Sequence, residues 1–276
     1  MHFHRFERPG KVRLDQISPE HPALAHKHDA HRRFEELNQE LFELQDLMWG
    51  ARTHSVLLVL QGRDAAGKDG AVKHMSGGLN PRGVAVTSFG VPTPEENQHD
   101  FLWRVHRRAP RAGEFAIFNR SHYEDVVAVR VKKLQPRKVW KERYGLINAF
   151  ERTLLSANTI LLKYFLHISK DEQEERLLAR EKDPHGAWKL SLDDWRDREK
   201  WDEFTEAYQD AIGKCAAADA PWIVVPANAR WYRNLVIAES VVAALRPHRK
   251  RWLRTLQEQG RIRRHDLEEW RAKHRE

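Results

Sequence analysis

The sequence predicts an α/β fold, a central parallel sheet with helices on both faces, and three observations carry that expectation. Five short apolar runs rich in β-branched residues recur along the chain. Helix-length amphipathic segments lie between them, as in βαβ units. The first run feeds directly into a glycine-rich turn followed by another helical segment. No Ser/Gly-rich linker and no internal repeat divides the 276 residues, so a single domain over 1–276 is expected. With 41% hydrophobic residues and ten Trp the chain can bury a substantial core, which excludes a disordered polyelectrolyte.

Element by element, His28–Gly50 sets Phe34, Leu37, Leu41, Leu44, Leu47 and Met48 at helical spacing and ends on Gly. Ser55–Leu60 is unbroken and apolar, the pattern of a strand buried on both faces. Val84–Phe89, Phe115–Phe118, Thr159–Ile168 and Trp222–Val225 read the same way. Between them Pro94–Arg108, Val139–Ser156, Lys170–Arg180, Trp195–Lys214 and Ala229–Leu245 read as helices. Glu181–Lys189 is charged and broken by Pro184 and Gly186, the composition of a mobile hairpin projecting from the sheet.

Charge and cysteine content narrow the setting. A lone Cys215 precludes an internal disulfide and a thiol-based zinc cluster, and fits a reducing cytoplasm. The first sixteen residues lack the apolar core of a secretory signal, and no run approaches the ~20 apolar residues of a membrane span, so a soluble cytoplasmic protein with no membrane partner is expected. The formal charge is +8. From Arg246 to Glu276 eleven basic and five acidic residues give 11 − 5 = +6, leaving the remainder close to neutral. That tail reads either as a solvated amphipathic helix or as an anion-binding surface.

The glycine-rich turn is the motif with chemistry in it. Gly62-x-x-x-x-Gly67-Lys68 has the spacing of a phosphate-binding loop in its strand–loop–helix context. Gly62, Ala65, Ala66, Gly67, Asp69 and Gly70 are the phosphate-binding candidates; Lys68 supplies a point charge and the helix N-terminus its positive dipole end. Where nucleotide triphosphatases usually carry Ser or Thr for Mg²⁺, this chain carries Asp69, and Asp64 lies within the loop. Carboxylates repel phosphate unless a cation sits between them, so Asp64 and Asp69 are candidate Mg²⁺ ligands. A second constellation, Glu114-Phe-Ala-Ile-Phe-Asn-Arg-Ser-His-Tyr-Glu-Asp125, is a buried strand ending in a polar cluster. Sites in parallel sheets lie beyond the carboxyl ends of strands, so Asn119, Arg120, Glu124 and Asp125 are expected to face the loop; a strand-end salt bridge is the competing reading. Arg120 suits the charge spread over a transferring phosphoryl group.

These segments, with Leu79-Asn-Pro-Arg-Gly83 and Asp183-Pro-His-Gly-Ala-Trp-Lys189, strongly resemble the polyphosphate kinase 2 family from about residue 30 to 245. His99-Asp-Phe-Leu-Trp-Arg104 and the Asn119–Glu124 cluster resemble the class III subgroup, which phosphorylates nucleoside mono- and diphosphates. The resemblance implies a P-loop kinase fold with a helical lid over Arg180–Arg198. It implies reversible, Mg²⁺-dependent transfer of the terminal phosphate of inorganic polyphosphate to AMP or ADP, giving ADP or ATP, in a homo-oligomer, dimer or tetramer. Asp64, Lys68 and Arg120 take the family's catalytic positions. Many members carry Asp where this chain has Asn119, and metal binding is assigned there; Glu124, Asp125 or Asp69 are left to compensate. Asn119, Glu124 and Asp125 are assigned to the nucleotide.

A polyphosphate donor has charge and no base, so a channel of cations suffices for it. Lys73, Arg82, Arg180, Lys182, Lys189 and Arg198 are the candidates. The basic stretch Arg130–Arg143 reads as a solvated connector or as a wall of that channel. Trp103, Trp140 and Trp201 sit among apolar neighbours and read as core; the sixteen His form no paired-ligand spacing, and His122 reads as support behind Arg120. Two other functions compete. An ATP-dependent nucleotide or small-metabolite kinase would share the loop, but Asp69 stands against it. A nucleic-acid-binding protein would use the tail, but no helix-turn-helix, zinc-finger or RNA-recognition signature supports it.

Overall fold

The computed structural model describes residues 3–23 and 26–274; the ends of the expected domain and tail, positions 1–2 and 275–276, lie outside the described residues, as do positions 24 and 25. In chain order the elements are β1 (His4–Phe6), α1 (Lys27–Ala51), β2 (Ser55–Gly62), α2 (Lys68–Ser76), β3 (Val84–Ser88), α3 (Trp103–His106), β4 (Phe115–Asn119), α4 (Ala128–Val131), α5 (Arg137–Ser156), β5 (Thr159–His167), α6 (Lys170–Lys182), α7 (Leu192–Glu199), α8 (Trp201–Lys214), β6 (Trp222–Pro226), α9 (Arg230–Leu245) and α10 (Arg249–Lys273).

The strands form one sheet in the order β1-β6-β5-β2-β4-β3, with all pairs parallel except β1 on β6. The parallel strands begin with β2 in the middle, with β3 and β4 on one side of it and β5 and β6 on the other, so the carboxyl ends of β2 and β4 lie side by side. Side-chain alternation sorts β2 between two cores. Val56, Leu58 and Leu60 pack with α1, α2 and α9, while Leu57 and Val59 pack with α5 and α8. That is why the run carries no polar alternation.

Three expectations about elements are corrected. A sixth strand, β1, pairs antiparallel with β6; three residues carry too little pattern to be read from sequence. Pro94–Arg108 is not a helix: it holds a 3₁₀ turn at Glu96–Gln98 and the single turn of α3. Here Asp100 Oδ1 accepts from Leu102 N (2.9 Å) and buried Arg104 donates to Gly90 O (2.9 Å), so local side-chain bonds replace a helical ladder. Trp195–Lys214 is two helices, because α7 closes at Lys200 and α8 starts afresh at Trp201, whose carbonyl accepts from Arg63 (3.0 Å).

The tail is helical. Its first turns pack against α1, with Trp252 fully buried and its indole N–H donating to His54 Nδ1 (3.1 Å). From Arg261 onward every described residue is exposed. The basic stretch after Ala128 is a connector whose inward cations are paired: Arg130 with Asp210 (2.6 Å), Lys132 with Asp197 (2.7 Å) and Arg143 with Asp125 (2.9 Å). Of the three tryptophans, Trp140 is buried. Trp103 is half-buried and stacks on His99 (4.0 Å), and Trp201 lies under the Arg63 guanidinium (3.6 Å).

Candidate active site

The loop between β2 and α2 is shaped by backbone conformation before any side chain matters. Gly67 has φ +93°, and a Cβ there would lie 2.0 Å from Arg233 Nη1, so only glycine fits. Ala65 and Arg120 also take left-handed backbone, at φ 60° and 61°, a strained choice that recurs at ligand sites. Arg120 is held there by its own N–H donating to Leu60 O (3.0 Å), which ties the end of β4 to the end of β2. Ala66 turns inward; its methyl is buried and its N–H donates to Arg63 O (3.1 Å).

Lys68 is buried and folds back over the loop, donating to Gly62 O (2.8 Å) and Arg63 O (2.9 Å). Burial, then the Arg120 guanidinium, pushes its pKa below the ordinary lysine value, against the pull of Asp64, Glu124 and Asp69. Arg120 grips Asp64. Burial pushes the Asp64 carboxyl up, but Lys68 and Arg120 outweigh it and hold Asp64 below the usual range. Asp69 accepts from Asn119 Nδ2 (2.8 Å) and from Lys189 Nζ (2.5 Å), so the lid touches the first turn of α2. Burial opposes the net effect here too, and those two donors bring Asp69 below its ordinary value. Glu124 is raised by burial, against Arg120 and Lys68. Its carboxylate accepts from the Gln61 amide (3.0 Å), whose oxygen in turn accepts from Ser121 N (2.9 Å).

A cleft of about 970 Å³ runs over this loop, of the size that holds small-molecule ligands. Asp64, Lys68 and Arg120 line it with Asp69 and Asn119, and Arg180 and Lys189 close it from the lid. Over the span expected to form the lid, Arg180–Arg198, α6 ends at Lys182, a turn and a 3₁₀ turn at Ala187–Lys189 follow, and α7 returns. Arg180 is anchored within it by Asp194 (2.7 Å). Glu124 and Gly62 instead border a cavity of about 40 Å³ beside the loop, walled by Trp201, Phe204 and Tyr208, with room for about one or two waters.

Other predicted residues lie apart. Asp125 is buried and turns away from the loop to Arg143 (2.9 Å) and Arg104 (3.7 Å), the strand-end salt bridge of the competing reading. Lys73, Arg82 and Lys182 are exposed and do not line the cleft; Arg198 reaches back to Glu174 and to Lys170 O (2.5 Å). His122 is buried and bonds to Glu151 rather than to Arg120, with Nε2 3.2 Å from Glu151 Oε1; that carboxylate also accepts from the Tyr123 hydroxyl (2.7 Å), and its second oxygen accepts from Lys163 (2.6 Å). Cys215 is buried filler, its thiol pushed up to about 12 by burial.

Sequence reasoning missed the strut behind the loop. Gln173 donates to Asp64 O (3.0 Å) and Arg176 to Ala65 O (3.0 Å), Ala227 O (2.7 Å) and Asn228 O (2.7 Å). Gln173, Arg176 and Arg180 are spaced three and four apart on one face of α6, a signal visible in the sequence. Arg230 and Arg233 of α9 were also missed. Both line the cleft, and buried Arg233 donates to Asn234 Oδ1 (2.8 and 3.0 Å) with no carboxylate among the described residues pairing with it. Burial, then Arg176 and Arg230, pushes its pKa down to about 10. Buried Arg176 and Arg233 with exposed Arg230, beside the N-terminus of α2, have the electrostatics of an anion site.

The family model for polyphosphate kinase 2 matches residues 24–252. The chain belongs to the polyphosphate kinase 2 family. An AMP/ADP-polyphosphate phosphotransferase of Meiothermus ruber is 46% identical over 244 residues, covering 88% of this chain and 91% of the relative. An ADP-polyphosphate phosphotransferase of Rhodopseudomonas palustris is 40% identical, over 82% of this chain and 83% of its own. The crystal structure of polyphosphate kinase 2 from Arthrobacter aurescens TC1 superposes with a TM-score of 0.82 at 39% identity, over 85% of each chain. The α/β fold with its lid is thus that of polyphosphate kinase 2 structures, and the chain is a phosphotransferase.

The donor set fits the divalent ion that the loop acids imply. Asp64 and Asp69 are hard oxygen donors on the cleft, and each faces a cationic or polar donor from this chain, the positions an ion's charge would take over. No cluster of three or more His, Cys, Asp or Glu suited to a metal occurs among the described residues. A hard divalent ion typically uses one or two carboxylates plus substrate phosphates, and Asp64 and Asp69 are the loop carboxylates on the cleft that would hold it.

Proposed function

We propose that this protein transfers the terminal phosphate of inorganic polyphosphate to AMP and ADP, reversibly and with Mg²⁺, giving ADP and ATP. The observation that carries the reading is the cation wall of the cleft. Arg176, Arg230 and Arg233 line it together with Lys68, Arg120, Arg180 and Lys189, and Arg176 bonds the loop at Ala65 O. A phosphate chain needs charge along a track and no base pocket. The relatives' names, AMP/ADP- and ADP-polyphosphate phosphotransferase, support the same substrates.

In this reading the loop N–H groups and Lys68 bind the terminal phosphate, and Arg120 takes up charge as the phosphoryl group moves. Lys68 leaves its two carbonyl partners and Arg120 shares its grip on Asp64 when phosphate arrives. Asp64 and Asp69 would hold Mg²⁺, which would supply neutralisation of the phosphate charge. Glu124, reached through Gln61 and Arg120, bears on the choice between AMP and ADP. The proposed assembly is a homo-oligomer and the proposed location cytoplasmic. Among the described residues no helix is long and apolar enough to cross a membrane.

The test is an acceptor panel. AMP, ADP, GMP and GDP are incubated separately with long-chain polyphosphate and Mg²⁺, and with ATP as an alternative donor. The reading requires ADP and ATP from the adenine acceptors with polyphosphate alone; turnover only with ATP would favour the small-metabolite kinase.

A further inference from the structure

The lid is a charged segment, yet it presents Trp188 with 79% of its surface exposed. Exposing so much indole forfeits the burial that usually places a tryptophan. None of the described aromatic rings stacks on it, and the Lys189 ammonium lies 5.0 Å from its ring centroid. Trp188 lines the same cleft as Asp64, Lys68 and Arg120, and it shares that cleft with the Ser88–Gly90 segment at the end of β3. Its position is set by the next residue, because Lys189 reaches Asp69 at 2.5 Å. The 3₁₀ turn Ala187–Lys189 thus holds the indole beside the phosphate end of the cleft.

The two substrates of the proposed reaction differ in what they ask of such a group. A polyphosphate chain has no aromatic face and is served by the arginines. A nucleotide acceptor has a base, and a base stacks on an indole whatever its hydrogen-bonding edge. The 40 Å³ cavity beside the loop is too small to receive a base, so the aromatic surface of the open cleft remains to do it.

We propose that Trp188 is the stacking platform for the acceptor's nucleobase, carried to it by the lid. The proposal rests on the function proposed above and assigns one of its substrates to one residue. Since stacking tolerates any base, Trp188 contributes affinity for AMP and GMP alike, and adenine preference, where present, comes from other groups.

The experiment reads binding and turnover separately. AMP and long-chain polyphosphate are each titrated into the wild type and into Trp188→Phe, following tryptophan emission, and KM values for both substrates are measured in wild type, Trp188→Phe and Trp188→Ala. Trp188→Ala is expected to raise KM for AMP about tenfold or more, the range of base–aromatic stacking, and to leave KM for polyphosphate within about twofold. Trp188→Phe keeps a ring, so it holds KM for AMP within about threefold while losing most of the AMP-induced emission change. An unchanged KM for AMP in Trp188→Ala, or a KM for polyphosphate that rises in step with it, overturns the proposal. A wild type that binds AMP with a Trp188-dependent signal but transfers no phosphate from polyphosphate would sink the function and leave the platform standing.

Discussion

The two walls of the cleft are built by different physics. The loop wall is fixed by buried backbone: left-handed turns at Ala65, Gly67 and Arg120, carbonyls bound by Gln173 and Arg176, and a lysine folded into the loop's own oxygens. The lid wall is held by side-chain ion pairs, Lys189 to Asp69, Arg180 to Asp194 and Arg198 to Glu174, at partly exposed positions. Buried polar geometry is costly to alter and keeps its shape when the ligand leaves. Partly exposed pairs contribute little each and exchange easily for a new anion. The loop therefore sets where chemistry occurs, and the lid sets how substrates are held over it.

The largest effects should fall on the loop wall. Lys68→Ala and Asp64→Asn are each expected to lower kcat by about 100-fold or more while leaving the circular dichroism spectrum unchanged. Near-normal turnover in either would erase the contrast between the walls. Gly67→Ala, which drives a methyl into Arg233 at φ +93°, should lose activity and melt at a lower temperature as well.

Intermediate effects belong to the lid. Arg180→Ala and Lys189→Ala should raise KM for polyphosphate about tenfold, the scale of one charge-assisted contact, with kcat changing less. A collapse of kcat without a change in KM would move these residues from holding to chemistry.

How far this contrast is legible in sequence follows from the same physics. The loop wall is local: Gly62-x-x-x-x-Gly67-Lys68 names its own conformation, and the apolar run before it names the strand. Arg233 touches the loop from α9, far along the chain, and no local pattern announces that contact. Asp125 follows the carboxyl end of a strand, the pattern of a site residue, but the 3₁₀ turn at His122–Asp125 sends Glu124 and Asp125 in different directions. The lid cations Lys182 and Lys189 look alike in composition, and only the turn at Asp183–Gly186 decides which one reaches Asp69. Pro94–Arg108 misled because helical composition gave way to local caps.

The same division between buried and exposed contacts separates the two halves of α10 and gives the smaller effects. His54 accepts the Trp252 indole N–H, and burial first, with His248 and Arg251 adding to it, pushes its pKa down to about 4; burial does the same to His167. The native state keeps both neutral while the unfolded chain takes up protons below about pH 6.5, so stability falls as pH drops from about 6.5 toward 4. The melting temperature should be lower at pH 5 than at pH 7, and His54→Gln should flatten that profile; a melting temperature that rises on acidification contradicts the assignment. Truncation after Gln257 removes only the unsupported half of the helix and should leave kcat, KM for AMP and melting temperature close to wild type. A large rise in KM for polyphosphate in that truncation would make the tail a donor-binding arm.

The central claim is that the cleft takes its phosphate from a polyphosphate chain. Its most direct measurement follows AMP with long-chain polyphosphate and Mg²⁺, without any added ATP, by nucleotide chromatography in the wild type and in Lys68→Ala. ADP and then ATP are expected in the wild type and neither at a comparable rate in the variant. Absence of ADP in the wild type, with phosphate transfer restored when ATP replaces polyphosphate as donor, would contradict it.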